Sequence, residues 1–76
     1  MAYLKQNQIK KAQDYFKTAI EIDPDNAIAH NDYGHTLALE GKLPEAIKEF
    51  QEALELNPNL KITQENLEIY SKKIEN

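Results

Sequence analysis

Two stretches of the chain nearly coincide when one is slid over the other: TAIEIDPDN from Thr18 and EALELNPNL from Glu52. The alignment places Ala12 on Ala46, an offset of 34 residues, and it holds further along. Phe16 falls on Phe50, Ala19 on Ala53, Glu21 on Glu55 and Pro24 on Pro58. Ile9 meets Leu43, Ile20 meets Leu54 and Ile22 meets Leu56, while Asp23 meets Asn57 before each proline. Self-similarity at a fixed period of about 20–50 residues marks an architecture of stacked units, each burying its apolar face against the next.

The period of the apolar residues says what each unit is made of. Leu43, Ala46, Ile47, Phe50, Ala53 and Leu54 recur at spacings of three and four, which is one face of a helix. Lys48, Glu49, Gln51, Glu52 and Glu55 occupy the opposite face, which the pattern assigns to water. Ile9, Ala12, Phe16, Ala19 and Ile20 draw the same stripe in the first copy. Pro44 suits a first helical turn, where a missing N–H costs nothing, and Pro58 stops the helix. Between the copies, NAIAHNDYGHTLALEGK reads as a further helix with Asn26 as N-cap. His30, Tyr33 and Leu37 form its stripe, and Gly41 closes it. The short link that follows forces antiparallel packing of the pair. The chain contains no valine, and its composition favours Ala, Leu, Ile, Glu, Lys and Gln, so strands have little to build on. The expected fold is all-α.

From Ala27 to Leu60 the chain resembles one complete tetratricopeptide repeat. The residues that carry the resemblance are His30, Tyr33-Gly34, Leu37, Gly41, Ala46, Phe50, Ala53 and Pro58. His30 stands where that family often has tryptophan, and Tyr33 where it has leucine. Small Gly34, Ala46 and Ala53 let the helix backbones approach closely, with Phe50 filling the gap between them. On this resemblance residues 1–26 are a partial repeat, 27–60 a full repeat and 61–76 a capping helix. About four helices follow, in a fragment of an α-solenoid.

Within the partial repeat, 1–6 corresponds to the end of a first helix and Gln8 to Ile22 to a second. Asn7 takes the turn-glycine slot, and with no Gly or Pro to interrupt it, a continuous helix from about Ala2 to Ile22 is an alternative. In the capping segment Ile62 repeats Ile28, but Glu68 stands at the Gly34 slot and Gln64 at the His30 slot. Leu67, Tyr70 and Ile74 continue an apolar stripe, with Glu65, Glu68, Lys72 and Lys73 facing water. A glycine is required only where another helix follows closely, so its loss suits a terminal helix.

The resemblance implies a scaffold that binds a protein or peptide in the groove lined by the first helix of each unit. The matching slots are Ile28, Asn31, His35, Ala38 and Leu39. Leu39 lies off the His30–Tyr33–Leu37 stripe, so packing within the pair does not explain it. Contact with the neighbouring helix, near Ile62 or Tyr70, is the competing account of Ala38 and Leu39. The family members that clamp a carboxylate use Lys, Asn and Arg. Here Asp32, Ile62 and Asn66 hold those slots, and an acidic residue repels a carboxylate. The alternative function is structural: Tyr3, Leu4, Tyr15, Phe16 and Ile20 would form an open face through which copies self-associate into a homo-oligomer. An engineered or excised piece of a longer array, without a ligand of its own, would show the same pattern.

Other chemistries find no support. Thirteen acidic residues against nine basic ones give a net charge of −4, which disfavours nucleic acid. There is no cysteine, hence no thiolate nucleophile or thiolate metal site. His30 and His35 are five apart and do not share a helical face, so they make a poor metal pair. Asp23 and Asp25 begin like a calcium loop, but Ala27 and Ile28 occupy the next ligand and glycine slots. Ser71 is the sole serine, and Gly34 and Gly41 are too few for a phosphate loop. No run reaches the roughly 18 apolar residues of a membrane helix. The expectation is a cytoplasmic binding module, not an enzyme, with no cofactor or metal.

Overall fold

The computed structural model describes residues 6–75, which form four helices and no strand. They are α1 (Gln6–Ile22), α2 (Ala27–Leu39), α3 (Leu43–Leu56) and α4 (Lys61–Glu75). Helix α1 begins at Gln6 among the described residues, so Asn7 lies within its first turn. Tyr3 and Leu4 lie outside the described residues.

The two proline turns are built alike, down to their hydrogen bonds. Asp23 N–H donates to Ala19 O at 2.9 Å, and its counterpart Asn57 N–H donates to Ala53 O at 2.8 Å. Asp25 N–H donates to Asp23 Oδ1 and Asn59 N–H to Asn57 Oδ1, both at 3.2 Å. A short Asp or Asn side chain thus closes each turn on its own backbone. Asn26 caps α2 by accepting from Ala29 N–H at 3.1 Å. Helix α2 ends at a left-handed residue, Gly41, whose φ is 83°.

Helices α2 and α3 form the antiparallel pair at the centre, and α1 and α4 flank it. Phe50 is fully buried between Leu37 and Ala46, with Tyr33, Ala38, Leu67 and Tyr70 packed around this cluster. Tyr70 stacks on the Phe50 ring at 5.8 Å between centroids, which joins α4 to the core. Gly34 is what allows the close approach: a Cβ there would lie 2.9 Å from the Phe50 ring and 3.1 Å from Ala46 O. Phe16, at the equivalent slot, is only half-buried and meets Tyr15 edge-on at 5.4 Å. Its helix packs against α2 alone among the described helices.

Two assignments from the helical pattern need correction. Glu49 is only partly open to water: its carboxylate turns toward His30 at 2.9 Å. Ile74 does not extend the half-buried stripe of Leu67 and Tyr70, and it remains exposed near the end of α4. Glu65, Glu68, Lys72 and Lys73 are exposed as the pattern requires.

Candidate functional site

Ile28, His35 and Leu39 are separated by seven and then four residues, so they share one face of α2. All three are exposed, Ile28 at 61% and Leu39 at 45%. The repeat offset carries them to Ile62, Ile69 and Lys73 on α4, also exposed. Asn31 and Asn66 lie between these residues, one on each helix, and they meet. Asn31 Oδ1 accepts from Thr63 Oγ1 at 2.8 Å and from Asn66 Nδ2 at 3.3 Å. Thr63 is fully buried, and Asn31 is 7% exposed. The face is therefore apolar along its edges, with a polar crossing from α2 to α4 as its floor.

Of the five groove residues expected from the sequence, Ile28, His35 and Leu39 lie on the open surface. Asn31 is buried, with its Oδ1 accepting from α4 and its Nδ2 donating to Asp32 Oδ1 at 3.4 Å. Ala38 packs against the Phe50 cluster. The helical stripes of the sequence do not mark Thr63 or Ile69, although the 34-residue offset from His35 points to Ile69. No sequence pattern announces the Asn31–Thr63 bond, because it depends on how two helices cross.

A second groove, of about 330 Å³, runs between α1 and α2 and is lined by Ala12, Phe16, Asp32, His35, Thr36 and Leu39. It lies where the first helix of an N-terminal unit would sit, as α2 sits on Ala46 and Phe50. Of the residues expected to form an open face, Tyr15 is 71% exposed, whereas Phe16 and Ile20 are half-buried.

His30 is buried and bonded at both ring nitrogens. Nδ1 lies 2.9 Å from Glu49 Oε1, and Nε2 lies 2.9 Å from Pro24 O. Burial alone would lower its pKa. The bonds to Glu49 and the Pro24 carbonyl, with the charges of Glu49 and Glu52, outweigh burial and raise it above 6.5. Among the described residues no group of three or more acidic, His or Cys side chains is placed to hold a metal ion. No described helix is long and apolar enough to cross a membrane.

Paired antiparallel helices repeated at 34 residues, closed by matching proline turns, define a helical-repeat scaffold. The chain belongs to the tetratricopeptide repeat family, whose model matches residues 1–60. It is similar to the tetratricopeptide repeat-containing protein trd-1 of Caenorhabditis elegans, with 39% identity over 59 residues, 76% of this chain and 8% of that one. It is also similar to the peroxisomal targeting signal receptor of Kluyveromyces lactis, at 36% over 64 residues, 84% of this chain and 11% of the receptor. Human protein O-mannosyl-transferase TMTC2 matches at 35% over 57 residues, 75% of this chain and 7% of the transferase. The chain thus spans about a tenth or less of the relatives it matches. Repeats of this family generally mediate protein–protein interaction and serve as non-catalytic scaffolds.

Proposed function

We propose that the chain is a non-catalytic module that binds a protein segment across the α2–α4 face, without cofactor or metal, in the cytoplasm. The observation that carries this reading is the set of exposed apolar side chains, Ile28, Ile62 and Ile69, flanking in sequence the residues of the Asn31–Thr63–Asn66 crossing, with exposed Leu39 two turns further along α2. Exposed apolar groups around a fixed polar floor suit a segment that offers both apolar side chains and backbone polar groups. His35 adds a polar contact at the centre. Asn31 and Ala38 support the surface from beneath rather than touching the ligand.

A displayed random-peptide library selected on the folded chain tests this. Selected peptides should shift the NMR signals of Ile28, His35, Leu39, Ile62 and Ile69, and the double variant L39E/I69E should lose them. Shifts confined to Tyr15 and Phe16, or binding indifferent to the double variant, would overturn the assignment.

The exposed Tyr15 and the open groove beside Phe16 favour a second reading, self-association through α1 with Ile20 near its edge. A mass that rises with concentration in light scattering, and falls back in F16E, supports it. A constant monomer mass removes it.

A further inference from the structure

His30 has two partners that can only accept hydrogen bonds: a carboxylate, Glu49 Oε1, and a backbone carbonyl, Pro24 O. Neutral imidazole carries one N–H, so it can serve only one of them and points a lone pair at the other. The imidazolium serves both. These partners lie on different parts of the fold. Pro24 belongs to the link between α1 and α2, and Glu49 belongs to α3.

The repeat supplies its own comparison. Gln64 occupies the His30 slot of the next unit, and its Nε2 donates to Pro58 O at 2.7 Å. The same bond from side chain to proline carbonyl thus holds both turns. In one unit the donor is an amide, which keeps its protons at every pH. In the other it is a histidine, which changes charge near neutrality.

We propose that His30 is a proton-operated clasp: with both nitrogens protonated it ties the α1–α2 link to α3, and loss of one proton frees one of the two holds and loosens α1. The surroundings favour the charged form. Glu49 and Glu52 face it from α3, and Glu21 and Lys17 of α1 line the same cleft with Ile20 and Tyr33. The raised pKa agrees with this geometry. Helix α1 depends on the clasp because its other packing is against α2 alone, supplemented by Gln13 Nε2 donating to Glu40 Oε1 at 2.8 Å.

The sign follows from linkage. A group whose folded pKa exceeds its unfolded value stabilises fully below about 6.5, and the contribution disappears as pH rises through the folded pKa. One proton limits the change to about tenfold in the folding constant per pH unit within that window.

The test uses the chain in an H35Q background, which removes the only other histidine. The His30 ring signals, followed by NMR, should titrate above 6.5, and E49Q should move that midpoint down. Urea unfolding between pH 6 and 9 should show stability falling with pH in the parent. H30Q, which places the glutamine of the second unit at this slot, should flatten the dependence. Amide exchange in α1 should quicken before that in α3 as the pH rises. A His30 midpoint at or below 6.5, or a pH slope in H30Q equal to the parent's, would overturn the clasp. If H30Q does not fold, the E49Q titration decides: an unmoved midpoint refutes the proposal.

Discussion

At the scale of single residues, the same slot in two units carries unequal weight. Phe50 is enclosed on all sides, while Phe16 faces an open groove. Truncating Phe50 to Ala should cost about 3–5 kcal/mol, the range for a buried aromatic, which is a large part of what so small a domain possesses. Phe16→Ala removes only partly buried area and should cost less than about 2 kcal/mol. Urea midpoints of the two variants measure the difference, and equal losses would mean that Phe16 is covered in solution. Gly34 shows how opposing effects are weighed. Alanine there gains about 1 kcal/mol of helix propensity. It also drives a methyl group to 2.9 Å from the Phe50 ring and 3.1 Å from a backbone oxygen that cannot turn aside. Overpacking of this kind costs about 1–3 kcal/mol, so Gly34→Ala should be net destabilising in thermal unfolding, with a compensating partner in Phe50→Leu.

At the scale of helices, most of the architecture could be read from spacing. Stripes at three and four residues give α2, α3 and the run from Ile9 to Ile22. Proline and glycine positions give their ends, because those two residues act on the backbone directly. Contacts that need a third dimension were not legible. Glu49 belongs to the solvated side by period, yet it turns inward because a buried histidine needs an acceptor. Asn31 occupies a slot associated with ligand contact, yet Thr63 and Asn66 claim its oxygen. Nothing in a linear pattern records the crossing of α2 over α4 that makes those bonds. Of the candidate face, Ile28, His35 and Leu39 were legible as slots, and Ile69 only through the repeat offset. The crossing itself can be tested. Thr63→Val keeps the shape but removes the donor to Asn31, leaving a buried oxygen with the longer Asn66 bond alone. The expected loss is about 1–3 kcal/mol. It should appear first as faster amide exchange in α4, since α4 also relies on Tyr70 and Leu67 to reach the core. Uniform loss of protection across all four helices would instead mean that α4 unfolds only with the rest.

At the scale of the whole molecule, the two ends of the stack are unlike. The α1 end presents the groove of Ala12, Phe16, Thr36 and Leu39. The α4 end presents Glu68 in the slot where α2 has Gly34. If a second copy laid its α1 on this α4 as α3 lies on α2, Phe16 would meet Glu68 as Phe50 meets Gly34. A side chain longer than glycine would then stand within about 3 Å of an aromatic ring, and a carboxylate would lose its water against apolar carbon. Glu68 instead lies exposed, 3.6 Å from Lys72 one turn on. Head-to-tail stacking of this kind would therefore set Glu68 against Phe16, a disfavoured contact, whereas two α1 faces meeting each other would not involve Glu68. Any association of the parent chain should stop at two copies, because a face shared between identical partners is used up once they meet. Glu68→Gly removes both the clash and the charge, and in sedimentation or light scattering it should yield masses beyond two copies at high concentration. Growth beyond two copies in the parent, or no change in Glu68→Gly together with loss of association in Phe16→Glu, would show that Glu68 does not limit association of this chain.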